Sequence, residues 1–257
     1  MKSLKYIFDF YIHSSLHVAF AVYSLVRITE YNLQFLHNEN IAYTVFYGTI
    51  VGYNFLKYFQ SFLNGNFYAK QHRFLIGITL LSLVITVFHF LRLPTSAQLF
   101  LIWTFCLVVI YPFLRKQGWL KLFWVSICMA EITVHFPAIL YKVNNLDLFL
   151  LGIQRFFIVF ALLIPFEILD SETDDKVLKT IPQRIGIWNT KMFGFVAIVF
   201  FLGIEFLKPT FDYISLWIGL ITALAIWFST TNRNHYYTSF WVECIPILWY
   251  IFYLILI

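Results

Sequence analysis

Acidic residues are scarce in this sequence, and five of the 13 fall within ten residues, in the segment EILDSETDDK (167–176). If a helix continues through this segment, Glu167, Asp170 and Asp174 have i, i+3, i+7 spacing and share one face. Hard oxygen ligands of this kind suit Mg²⁺, which commonly bridges one or two carboxylates and substrate phosphates. The spacing fits such a metal site, and it fits equally well a solvated acidic loop offset by the basic residues at 176–184.

The elements that must position these carboxylates are strongly apolar. Of the 257 residues, 61% are hydrophobic and 12% are charged, whereas a soluble domain carries roughly 25% charge. A membrane-spanning helix needs roughly 20 apolar residues. The predicted spans are 7–28, 41–63, 73–92, 97–114, 122–142, 147–168, 190–207, 211–230 and 238–257. We therefore expect an all-α, polytopic membrane protein with about nine transmembrane helices, and a single integral membrane domain over 1–257.

The basic residues indicate how the chain is oriented. With the N-terminus in the cytoplasm, twelve Lys and Arg residues fall on the cytoplasmic side of the predicted spans and four on the other. This asymmetry follows the positive-inside rule, and it predicts a C-terminus on the opposite side. The net charge of +5 is scattered among short loops and forms no stripe, so we expect no nucleic-acid partner.

A longer segment around the acidic residues, EILDSETDDKVLKTIPQRIG (167–186), resembles the second aspartate-rich motif of the UbiA family of intramembrane prenyltransferases. In that resemblance Glu167 stands at the first Asp of the motif, Asp170 at the second, and Asp174 in the acidic stretch that follows. Four further positions complete the pattern, namely Lys176, Thr180, Pro182 and Gly186.

A second segment, YPFLRKQGWLK (111–121), resembles the family's loop between the fourth and fifth helices, where a Tyr precedes basic residues near the diphosphate. The resemblance spans the whole chain and implies a UbiA-like bundle around a central cavity, with its active-site loops on the cytoplasmic side. The substrate-binding residues that it implies are Tyr111, Arg115, Lys116, Lys176 and Asn54.

The family's first aspartate-rich motif is largely missing from the matching segment, GYNFLKYFQSF (52–62). Asn54 remains, but Phe55 and Tyr58 stand where aspartates belong, and Lys57 adds a positive charge to the same turn. An ionisable residue at membrane depth is a functional candidate by default. Lys57 would act either as a fixed counter-charge to a phosphate or as an ion-pair partner of the acidic cluster.

The resemblance also implies a reaction. Family enzymes ionise an allylic diphosphate with Mg²⁺ as Lewis acid and template, and a lipophilic acceptor captures the prenyl cation. With one motif missing, Glu167, Asp170 and Asp174 would hold at most one Mg²⁺, and the catalytic residues would be Asp170, Asp174 and Lys57. The expected partners are an isoprenoid diphosphate, a lipophilic acceptor and membrane lipid.

Two other functions fit the residues. The missing aspartates suit a non-catalytic family member, which would act as a lipid-binding or partner-organising membrane subunit. Charged residues inside the predicted spans would suit a small carrier or channel, although the internal repeat typical of such proteins is not apparent. These residues are Lys57, Glu131, Arg155 and Glu243.

Overall fold

The computed structural model describes residues 2–63, 70–114, 118–173 and 178–256, and in these ranges the regular structure is entirely helical. The helices are α1 Lys2–His13, α2 Leu16–Asn32, α3 Glu39–Leu63, α4 Lys70–Phe90, α5 Thr95–Leu114, α6 Leu120–Ala138, α7 Asn145–Asp170, α8 Ile181–Glu205, α9 Tyr213–Trp227 and α10 Tyr237–Leu256.

Four of these helices, α6, α7, α8 and α10, are long and apolar enough to cross a membrane. Three shorter apolar helices accompany them, over Phe74–Phe90, Thr95–Tyr111 and Tyr213–Trp227. Large apolar side chains such as Phe105, Val199 and Trp217 are exposed on the outside of the bundle, as expected where a surface faces lipid rather than water. The chain is an integral membrane protein.

The predicted first span, 7–28, is wrong as a single helix, because the chain breaks at Ser14 and Ser15 between α1 and α2. Ser15 adopts a left-handed backbone conformation with φ 61°, which few non-glycine residues tolerate. Its hydroxyl donates to Asn54 Oδ1 at 2.8 Å, and Asn54 Nδ2 donates to the carbonyl of Ser14. A tertiary contact with α3 therefore holds the break in place.

The hairpin formed by α7 and α8 lies at the centre of the bundle, and α7 also packs against α6, α9 and α10. Gly194 of α8 lies against Ile164 and Ile226 so closely that an added Cβ would be 2.8 Å from the nearest side-chain atom. Gln154, early in α7, reaches Glu205 at the end of α8, so the two helices are antiparallel. We name the end of the bundle with Asp170 and Thr180 the loop end.

The opposite end of the hairpin is the network end, which carries Glu205 and Asp212. Here α9 begins at a capping residue, because Asp212 Oδ1 accepts from the backbone N–H of Ile214 at 2.9 Å. Two helices also contain π-helical turns, Glu131–His135 in α6 and Tyr237–Val242 in α10. Such turns are frequent at functional sites.

Candidate functional site

Glu167, the first of the predicted metal ligands, lies in the last turn of α7 and is ion-paired. Its Oε1 is 2.6 Å from Nζ of Lys121, in the first turn of α6. Both side chains are largely buried, with 7% of Glu167 and 13% of Lys121 exposed. The ammonium of Lys121 therefore supplies positive charge at the position where the sequence predicts a metal cation. Lys121 belongs to the segment 111–121, but sequence reasoning did not select it as a site residue.

Asp170 is exposed and is the last residue of α7. Residues 171–173 form a turn, in which the N–H of Thr173 donates to the carbonyl of Asp170 at 3.0 Å. The chain leaves the helix at Asp170, so the condition for a shared helical face of Glu167, Asp170 and Asp174 is not met over residues 171–173. Asp174 and Lys176 lie outside the described residues, so their predicted roles stay predictions.

A close backbone contact joins the two loops at this end of the bundle. The N–H of Gly118 donates to the carbonyl of Leu178 at 3.0 Å. A Cβ at Gly118 would lie 2.3 Å from that oxygen and 2.8 Å from the nitrogen of Thr180, so only glycine fits without a backbone shift. The loop before α6 and the loop before α8 are thus held against each other.

The predicted substrate-binding residues of the 111–121 segment are placed only in part. Tyr111 lies near the end of α5, is half-buried, and interacts electrostatically with Tyr53 of α3. Arg115 and Lys116 are outside the described residues. Their proximity to a diphosphate stays a prediction.

On α3, Asn54 and Lys57 have different surroundings. Asn54 is 2% exposed, and its amide is used within the protein, by Ser15, the carbonyl of Ser14 and Thr79 Oγ1. Lys57 is exposed, lies over the ring of Tyr58 at 5.6 Å, and interacts electrostatically with Glu243 of α10. Asn54 therefore holds helices together, and Lys57 has an electrostatic interaction, with Glu243, that the sequence did not indicate.

The side chains of the described residues can be examined for groups that could bind a metal ion. In the ranges that the structure describes, no three His, Cys, Asp or Glu side chains are grouped closely enough to hold an ion. One oxygen of Glu167 is already engaged by Lys121. A ligand set of Glu167, Asp170 and Asp174 would include a residue outside the described ranges, so Mg²⁺ binding by these carboxylates stays a prediction.

The overall shape is similar to that of a solved structure, the apo structure of a UbiA homolog from Aeropyrum pernix K1. The TM-score is 0.64 at 13% sequence identity, and the match covers 93% of this chain and 98% of that one. No protein-family model and no curated protein sequence matches the chain. The chain thus has a UbiA-like fold, as the motif resemblance predicted.

Proposed function

We propose that this UbiA-like protein binds an isoprenoid diphosphate at the loop end and transfers the prenyl group to a lipophilic acceptor. The observation that carries the proposal is the buried ammonium of Lys121, which pairs with Glu167 beside two loops joined through Gly118. A fixed cation of this kind can offset the charge of a departing diphosphate without a metal. The apolar bundle would accommodate the prenyl chain.

Other residues would complete the site in this proposal. Lys57 would offer a second ammonium from α3, and the family resemblance adds Arg115, Lys116 and Lys176. Asp170, exposed at the end of α7, would take part in holding one Mg²⁺ if Asp174 joins it. The positive charge at the site could come from the ammonium of Lys121 or from Mg²⁺. Diphosphate binding that depends on Lys121 but not on Mg²⁺ would assign it to the ammonium.

A second candidate is a non-catalytic lipid-binding or partner-organising subunit. The same Lys121–Glu167 pair favours it, because an acidic residue that is neutralised by an ammonium is less available to a metal. The aspartates missing at Phe55 and Tyr58 point the same way. The two candidates differ in whether the bond from the prenyl carbon to the diphosphate oxygen is broken, and the subunit does not need to bind the diphosphate.

The decisive experiment is binding and turnover with the purified full chain in detergent. Geranyl, farnesyl and geranylgeranyl diphosphate are titrated with Mg²⁺ or with EDTA, and pyrophosphate release is measured with a membrane lipid extract as the acceptor source. Binding with release and a prenylated lipid supports the enzyme. Binding without release supports the subunit, and no binding of any of the three diphosphates rejects the enzyme.

Single-residue variants test which side chains contact the diphosphate and the metal. Lys121→Met is expected to weaken diphosphate binding with or without metal, whereas Lys142→Met, at an exposed lysine of the α6–α7 loop, is the matched control and should bind as the wild type does. Asp170→Asn should abolish the Mg²⁺ dependence of binding, because Mg²⁺ relies on few charged ligands. If neither protein responds to Mg²⁺, the metal is no part of the site.

We also propose nine spans with the N-terminus in the cytoplasm and the C-terminus on the opposite side. The support is the twelve-to-four distribution of Lys and Arg. Single cysteines near Lys70, Lys116 and Lys179, in a background without Cys106, Cys128 and Cys244, should react with impermeant reagents from the cytoplasmic side only. Those near Lys142 and Lys208 should react from the other side, and labelling near Lys116 and Lys142 from one side would reject nine spans.

A further inference from the structure

Arg155 is a guanidinium enclosed in the middle of the bundle. It lies ten residues after the start of α7, about 15 Å along the helix axis, and is 1% exposed. Nη2 donates to Thr29 Oγ1 of α2 at 3.2 Å, and the guanidinium lies 5.2 Å from the ring centre of Trp249 on α10. Nε and Nη1 have no acceptor in the described part of the chain.

One other donor close to Arg155 is in the same condition. The indole Nε1 of Trp249 is buried without an acceptor among the described residues. The amide of Asn32, one turn beyond Thr29 on α2, lies 2.7 Å from the hydroxyl of Tyr253, which donates its proton to Asp212. Tyr253 is one turn beyond Trp249 on α10. The guanidinium of Arg155 and the indole of Trp249 thus both carry unpaired N–H groups in this part of the core.

Two acidic groups at the network end, Glu205 and Asp212, accept hydrogen bonds from other donors. Glu205 accepts from Gln154, from Lys208 Nζ at 3.0 Å and from the N–H of Asp212 at 2.9 Å. Asp212 accepts from Ile214, Ser215 and Tyr253. Across the described residues, Arg155 forms no ion pair with either carboxylate.

A buried guanidinium without a counter-ion is costly, and its unpaired Nε and Nη1 add to the cost. We propose that Arg155 holds a small monovalent anion at Nη1, with chloride as the expected occupant. Water accepts hydrogen bonds but brings no compensating charge. A halide accepts from Nη1 and neutralises Arg155, so it meets both requirements of the buried guanidinium.

The surroundings limit the size of the ligand. Ile28, Ile158 and Phe201 are fully buried in the same core, and Trp249 is 2% exposed. This close apolar packing favours a small occupant over a phosphate ester or a lipid headgroup. The site is therefore a resident-ion site separate from the loop end, and it does not depend on the proposed diphosphate binding.

Bromide substitution tests the proposal on the wild-type protein. The protein is purified and crystallised in sodium bromide, and anomalous diffraction is measured above the bromine absorption edge. We expect a bromide peak within hydrogen-bonding distance of Arg155 Nη1. Electron density there without an anomalous signal, or no density, means water or an unfilled contact and overturns the proposal.

A stability measurement gives an independent outcome. The thermal midpoint in detergent is compared in sodium chloride and in sodium gluconate at equal ionic strength, and chloride should raise the midpoint of the wild type. Arg155→Gln should abolish that difference, while Arg92→Gln, the same change at an exposed arginine, should retain it. An equal chloride effect in both variants contradicts the site. If Arg155→Gln does not fold, the bromide experiment decides alone.

Discussion

The two ends of the α7–α8 hairpin use charged residues in different ways. At the network end, the fully buried Glu205 accepts from three donors, one of which is a lysine ammonium, and the adjacent Asp212 accepts from three more. At the loop end, Glu167 is paired with Lys121, and Asp170, Glu172 and Thr173 beside it are exposed. Among the described residues, the network end is closed by its own hydrogen bonds, whereas the loop end carries exposed side chains.

This difference indicates which acidic residues serve the fold. A buried carboxylate surrounded by protein donors has little capacity left for a new partner. Glu172, which is exposed at the loop end, retains that capacity. Acidic residues at both ends interrupt apolar helices, so the sequence alone does not distinguish them.

The largest expected effect is at the network end. Glu205→Gln leaves the ammonium of Lys208 buried without its counter-charge, and breaking such a pair typically costs about 3–5 kcal/mol of unfolding free energy. Denaturation by SDS in mixed micelles measures the loss. The control is Glu172→Gln, an exposed carboxylate at the loop end, which should change stability by less than about 0.5 kcal/mol. Equal losses would remove the contrast between the ends.

A smaller effect is expected for the Lys121–Glu167 pair. Lys121→Met leaves a buried carboxylate without its donor, which should cost about 3 kcal/mol. Combining it with Glu167→Gln should recover part of that loss, because the second change removes the unpaired charge. The double-mutant cycle by SDS denaturation gives the coupling. Strictly additive effects would show that the two side chains do not stabilise each other.

The next effect concerns the contact between the loops. Gly118→Ala places a methyl group against the carbonyl of Leu178, and such overpacking should cost about 2 kcal/mol. It should also weaken diphosphate binding if both loops form the site. Gly203→Ala is the matched control, because a Cβ there meets nothing within 4 Å and alanine is favoured in a helix. A destabilisation as large as that of Gly118→Ala would contradict the steric explanation.

The smallest effect on stability is expected at Lys57. Its side chain is exposed, so Lys57→Met should change the unfolding free energy by less than about 1 kcal/mol. Diphosphate binding should nevertheless weaken if Lys57 contacts a phosphate. A large loss of stability with unchanged binding would make its interaction with Glu243 structural and would place Lys57 outside the site.

Much of the helical pattern was predictable from the sequence. A long apolar segment in lipid must pair its own backbone N–H and C=O groups, and an α-helix does so within the segment. The break at Ser14 and Ser15 was not predictable, since no Pro or Gly marks it and a tertiary contact with Asn54 holds it. The Lys121–Glu167 pair joins residues 46 positions apart, which spacing within one helix cannot reveal. The electrostatic interaction of Lys57 with Glu243 was missed for the same reason.

Gly186 shows a different kind of constraint, one of handedness. It interrupts α8 with φ 81° and ψ 162°, yet an added Cβ would meet nothing within 4 Å. The obstacle to a side chain is therefore chirality and not space, since L-residues avoid this region. A D-alanine introduced by semisynthesis would have the mirror-image preference and would fit where L-alanine is strained. The N-terminal part of α8 therefore requires glycine, the one achiral residue, at position 186.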